Sequence, residues 1–215
     1  MRTVLKFFAL AATVFLTGCT SGAMVPKDVF DAMAERDYRD DPEFSARIEQ
    51  LAQGSAPAIV ILVEEKDALG ALYQVQSRNG VTTWLSADNS MIVLDHGLLT
   101  ATRGLGSDLM EARSVEAASL ILTMKEGHAT RHYGHLNGRD EIQPTTFTCT
   151  TRNRGARNIV IGETTFRTQL MREHCESESA SIKNLYWVSL NGKGILQSRQ
   201  WVSPDVGMIS VRYNL

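Results

Sequence analysis

Beyond its first 16 residues the chain has no long apolar run. A helix that crosses a bilayer needs about 20 apolar residues, so the body is not expected to span a membrane on a helix. A basic excess is missing as well. The 215 residues hold 22 Lys+Arg and 24 Asp+Glu. Removing residues 1–18 takes away Arg2, Lys6 and no acid, leaving 197 residues with 20 basic and 24 acidic side chains, a net charge of −4. A nucleic-acid binder would show the opposite balance. Catalytic signatures are missing too. There is no Gly-x-Ser-x-Gly elbow and no His-Glu-x-x-His. Gly104-Leu105-Gly106-Ser107-Asp108 is glycine-rich but lacks the lysine and helix of a phosphate loop. No fixed-period repeat or low-complexity tract interrupts the chain.

What is present starts at the N-terminus. Arg2 and Lys6 precede the apolar stretch Phe7 to Leu16, the length of a signal-peptide core. Leu16-Thr17-Gly18-Cys19 follows and looks like a bacterial lipobox. That resemblance implies cleavage before Cys19, a diacylglycerol on its sulfur and an acylated new N-terminus. The alternative is a plain secretory signal with an incidental cysteine. Thr20 stands where an inner-membrane retention signal has Asp, so the pattern resembles an outer-membrane lipoprotein facing the periplasm. Acyl chains would anchor it, each buried CH₂ contributing ~0.8 kcal/mol. The expected organisation is a signal peptide at 1–18, a lipidated tether at 19–26 and one β-rich periplasmic domain at 27–215.

Three cysteines divide by role. With Cys19 lipidated, Cys149 and Cys175 are an even pair in an oxidising compartment. They are expected to form a disulfide; two buried free thiols are the alternative.

Lys27 to Arg39 is mixed and of helical character. Asp40-Asp41-Pro42-Glu43 reads as a helix start, with Phe44, Ile48, Leu51 and Ala52 at helical spacing behind it. From Ala58 strands take over. Ile59 to Val63 is a β-branched run buried on both faces. Leu72–Ser77 and Val81–Ser86 flank Asn79-Gly80, a hairpin signal. Further strands are read at 91–94, 98–103, 129–135, 144–150, 158–161, 164–172, 182–188, 195–202 and 208–213, and Ser114 to Leu122 as a short helix or a helix turning into a strand. About ten short antiparallel strands with one or two short helices give a mainly β fold, a β-sandwich or partly open barrel. A transmembrane barrel fits less well, because its strands run ~9–11 residues.

Candidate sites are few. His128 and His132 would share one strand face with His135 on the other, and no carboxylate completes a metal spacing. No catalytic residue, metal or cofactor is expected, and a glycan-modifying enzyme is the last alternative, one that would need carboxylates or histidines to converge only in the fold. Arg152, Arg154 and Arg157 read as a solvated hairpin tip or as a contact for an anionic polysaccharide. Trp84, Trp187 and Trp201 could stack on sugar rings, but their apolar strand neighbours favour core packing.

One segment is distinctive. From Val81 to Leu109 a Trp-bearing strand, a turn, an apolar strand, Gly97-Leu98 and then Thr102-Arg103-Gly104-Leu105-Gly106-Ser107-Asp108-Leu109 resemble the YjbF lipoproteins, which are related to the group four capsule lipoprotein GfcB. Trp201-Val202-Ser203-Pro204 is consistent with it. The resemblance implies a β-rich periplasmic lipoprotein associated with exopolysaccharide or capsule production or export, working beside an outer-membrane β-barrel partner. It carries over Cys19 as the lipid site and brings no catalytic motif. Gly97, Gly104, Gly106 and Asp108 match its pattern, and a backbone-shaping role is expected for them.

Overall fold

The computed structural model describes residues 57–214 apart from 87, 138 and 140. The expected signal peptide, tether, Cys19 and helices at 27–39 and 42–52 lie outside the described residues.

Among the described residues, twelve strands form one antiparallel sheet. The first group is β1 (Ala58–Val63), β2 (Ala68–Arg78), β3 (Val81–Ser86), β4 (Met91–Asp95), β5 (Leu98–Arg103) and β6 (Leu109–Arg113). The second is β7 (Gly127–Leu136), β8 (Ile142–Ile161), β9 (Thr164–Glu176), β10 (Ser181–Ser189), β11 (Ile195–Ser203) and β12 (Gly207–Asn214). The order is β5-β4-β3-β2-β1-β12-β11-β10-β9-β8-β7-β6. Two meanders therefore meet where β1 pairs with β12. The two edges of the sheet, β5 and β6, are consecutive in sequence and joined only by residues 104–108. That short connection forces the edges together, and the sheet becomes a nearly closed barrel. Of the two architectures expected, the barrel is the one adopted.

Local chemistry explains the turns. Asn79 (φ 53°) and Gly80 (φ 83°) both take left-handed conformations, the two-residue turn that matches strand twist. His96 (φ 50°) and Gly97 (φ 91°) repeat it between β4 and β5. A Cβ on Gly97 would lie 2.8 Å from the Ile195 Cβ, so space and φ both demand glycine here.

Period-2 alternation fills the interior. Ile59, Ile61, Leu72, Trp84, Ile92 and Phe147 belong to one cluster, with Cys149 and Cys175 among its members. A transmembrane barrel with a polar lumen has the reverse arrangement. Six of the strands, β2 and β7 to β11, reach nine residues or more, beyond the expected lengths. The helix α1 (Val115–Leu122) begins at Ser114, whose Oγ accepts from Ala117 N at 3.0 Å. It packs Ile121 with Leu98, Met171, Tyr186, Val188 and Ile195.

One expectation needs correction. Arg152 to Arg157 is not a hairpin tip but lies within the twenty-residue β8. The register shifts between Asn153 and Ala156, Gly155 sits at φ 89°, and Asn153 Oδ1 accepts from Gly155 N at 2.9 Å. Turn chemistry here makes a bulge that bends the strand without reversing it; the reversal comes at Gly162-Glu163. The sequence pattern marks no element at residues 109–113, where the chain forms β6.

Candidate functional site

The place where the barrel fails to close completely is the feature that a partner or ligand could use. At one end the seam is stapled by Asp108. Its carboxylate accepts from Gly104 N (2.8 Å), Leu105 N (3.1 Å) and Thr102 Oγ1 (2.9 Å). Thr102 Oγ1 in turn accepts from Leu109 N at 2.9 Å, so β5 and β6 share one polar knot. Lys66 Nζ donates to Leu105 O at 2.7 Å, and Ser107 bonds Asp205. Gly104 (φ 83°) and Gly106 (φ 113°) let the chain turn inside this knot. Nearer the start of β5, Gln200 reaches across the interior: its Oε1 accepts from Leu99 N (2.8 Å) and its Nε2 donates to Gly97 O (2.9 Å). The buried amide satisfies edge-strand backbone that has no strand partner.

Toward the other end the edges part and leave a cleft of about 720 Å³. Leu98 and Ala101 of β5, Met110 and Ala112 of β6, and Val115 and Leu122 of α1 line it. Val115 is 81% exposed at the rim. Asp95, His96, Glu111 and Arg113 supply charge or polarity, and the buried Arg131 contributes to the wall.

Arg131 belongs to a buried polar cluster. Its Nη1 donates to Glu173 Oε2 at 2.7 Å and to the Tyr186 hydroxyl oxygen at 3.0 Å. Asn184 Nδ2 donates to the same Glu173 oxygen (2.9 Å), while Asn184 Oδ1 accepts from Trp201 N (2.9 Å). The guanidinium also lies 5.2 Å from the Tyr133 ring centre. Burial favours the neutral phenol, so Tyr186 is pushed well above its ordinary pKa, with Glu173 adding to the rise. Tyr133 is raised for the same first reason. Burial, the largest single effect, would lower Arg131, but the charge of Glu173, the Tyr133 and Tyr186 side chains and the Glu173 hydrogen bond together outweigh it, and the guanidinium is held firmly charged. Glu173 Oε1 and Arg131 Nε have no hydrogen-bond partner among the described residues.

Comparison with known proteins decides what this barrel is. A family model described as "Group 4 capsule polysaccharide lipoprotein gfcB, YjbF" matches residues 20–213. The chain belongs to this capsule polysaccharide lipoprotein family. A solved structure of the hypothetical lipoprotein YmcC from Escherichia coli K12 is similar in fold, with 20% identity, a TM-score of 0.65, and coverage of 74% of this chain and 86% of that one. No curated protein matches the sequence.

Within this YjbF-family chain the sequence-predicted residues scatter. Cys149 and Cys175 are direct cross-strand partners on β8 and β9 and form a disulfide in the interior. Both sulfurs lie near the Glu173 carboxylate, and the S–S bond occupies the two thiols that could otherwise ligate a metal with it. Trp84 is 2% exposed, edge-on to Tyr213, with Nε1 donating to Thr82 Oγ1. Trp201 packs edge-on against Tyr133 (5.3 Å) and Phe147 (5.8 Å). Trp187 is 5% exposed on β10. None of the three presents an open ring face to solvent, which is what sugar stacking requires. Arg152 donates to Glu126 Oε2 at 2.9 Å, and Arg157 donates to its own Ala156 carbonyl. Asn153 N and then Arg152 hydrogen-bond Glu126 and lower its pKa. Arg152, Arg154 and Arg157 are exposed on β8, two strands from Trp187 on β10, while Trp84 and Trp201 belong to the interior cluster. His128 and His132 share the exposed face of β7 and bond Thr150 and Thr146, while His135 turns inward to the Val202 carbonyl.

Sequence reasoning missed Arg131, Glu173 and Gln200. A signal existed for the first two: Arg131 falls in the inward phase with Ala129 and Tyr133, and Glu173 in phase with Met171 and Cys175. Charge inside an apolar phase marks a buried pair.

Proposed function

We propose that this chain is a non-enzymatic outer-membrane lipoprotein that scaffolds a β-barrel partner during production or export of a capsule-type exopolysaccharide. The observation that carries the reading is the family match across residues 20–213, with Cys19 at its threshold. In this reading residues 1–18 are removed, acyl chains on Cys19 enter the inner leaflet of the outer membrane, residues 19–26 form the tether, and the barrel faces the periplasm. Anchoring acts by raising local concentration beside the partner, without new contacts. The partner's surface of choice is the open seam, where two unpaired strand edges and the exposed Val115 border an apolar cleft. A non-enzymatic role accords with how the buried perturbed groups are engaged: Arg131, although it contributes to the cleft wall, is tied to Glu173 and Tyr186 by hydrogen bonds and holds structure.

The test replaces the lipoprotein signal with an ordinary cleavable secretory signal, releasing the same barrel unacylated. Polymer export should fall sharply while the Cys149–Cys175 disulfide still forms. Unchanged export would rule out the anchoring step.

A second reading, a polysaccharide-binding module, is favoured by one observation. Arg152 and Arg172 are direct neighbours across β8 and β9, beside Arg154 and Arg157. Guanidinium groups pair planar anions well. Titration with purified polymer decides it: saturable binding that weakens in Arg152→Ala supports the module, and its absence removes it.

A further inference from the structure

One apolar surface of the barrel is on the wrong side. Val60, Arg212, Gln197, Trp187 and Leu170 form a single cross-strand row through β1, β12, β11, β10 and β9. Their chain neighbours Ile59, Ile61 and Val211 belong to one interior cluster, and Met171, Tyr186 and Val188 to the other. Successive side chains on a strand point to opposite faces, so the row looks outward. Yet Val60 is 4%, Trp187 5% and Leu170 1% exposed. Leu185, two residues before Trp187 on the same face, is 2% exposed. Leu170, Leu185 and Trp187 belong to neither interior cluster.

We propose that residues 42–52 form an amphipathic helix that docks on this outer face and covers the Trp187 row. Three observations select that segment. First, reach: Pro57 enters β1 with its carbonyl accepting from Gln74 N, and Val60 stands in the same cross-strand row as Trp187. Three strand spacings separate β1 from β10, ~14 Å, and residues 53–57 span at most ~17 Å when extended. Second, pattern: Phe44, Ile48, Leu51 and Ala52 make one apolar stripe of the size this row needs. Third, charge: Asp40, Asp41 and Glu43 lead the segment, while cations border the face. Arg172 pairs across from Leu185, Arg157 from Thr168, and Lys193 sits over the Phe166 ring.

The consequence concerns pose. With 42–52 docked, at most the chain from Cys19 to Asp41 separates bilayer from barrel. The barrel then meets the membrane with a preferred side rather than tumbling on a long tether. The inference stands apart from the scaffold reading, since it holds whether or not a partner binds.

Hydroxyl-radical footprinting of the acylated full-length mature protein in detergent micelles reads side-chain exposure directly. The expected result is that Phe44, Ile48, Leu51 and Trp187 are all protected. In the Ile48→Asp/Leu51→Asp variant, Trp187 labelling should rise several-fold while Trp84 and Trp201 stay protected, showing an intact interior. Free-peptide labelling of Phe44 and Ile48 in the unsubstituted protein overturns the proposal without any variant. So does protection confined to 27–39, or Trp187 protection that disappears on dilution, which would mark a second copy as the cover.

Discussion

Arg131 and Glu173 show what a single residue contributes here. Both are buried, at 3% and 0% side-chain exposure, and each neutralises the other. Removing one partner leaves an uncompensated charge in the interior. Glu173→Gln is expected to destabilise the barrel by ~3–5 kcal/mol, and replacing both by apolar residues of similar volume should recover most of that loss. Urea unfolding of the three variants checks this, and a Glu173→Gln cost within error of zero would contradict the pairing. The tyrosines add a pH signature. Burial raises Tyr133 and Tyr186 above the ordinary 10.0, so the folded state keeps protons that the unfolded state loses. Stability is therefore fully present below pH 10 and falls as pH rises beyond it. Thermal midpoints should be flat to about pH 10 and then drop, with a shallower drop in Tyr186→Phe. Strand alternation made the inward phase of Arg131 legible in sequence. It could not reveal a partner 42 residues away on a non-adjacent strand, because alternation fixes a face and not a neighbour.

Between elements, the Asp108 knot and the disulfide do different work. Asp108→Ala leaves three donors without their acceptor: Thr102 Oγ1 near the end of β5, and Gly104 N and Leu105 N in the connecting loop. A loss of ~1–3 kcal/mol is expected from the donors left unpaired. Hydrogen exchange should quicken across residues 102–109 while β10 and β11 remain protected; uniform protection would mean that the seam does not depend on Asp108. The disulfide closes a separation of 26 residues, and Cys149→Ser/Cys175→Ser should cost ~3 kcal/mol in the chain-entropy model, read from the shift in urea midpoint. Turn signals with matching φ were readable, Asn79-Gly80 above all. Asn153-Arg154-Gly155 misled because the same residue types serve a bulge and a turn. Only the pairing of β9 along both of its edges, which is long-range, decides between them.

At the scale of the whole molecule, a chain order that makes the two sheet edges consecutive produces both the barrel and its imperfect seam. Composition and turn spacing announced an antiparallel β protein. Closure stayed hidden because it depends on the β1–β12 pairing between residues at opposite ends of the domain. The 81–109 segment carried the family resemblance, and the seam supplies the surface on which the scaffold reading rests. Its central claim is that this seam meets an outer-membrane β-barrel protein. A photo-crosslinking amino acid in place of Val115, in acylated protein within cells making the polymer, tests that claim most directly. The account predicts an adduct with one outer-membrane β-barrel protein, lost when the same probe replaces the distant exposed Glu163. Adducts with polysaccharide alone, or equal capture from both positions, would contradict it.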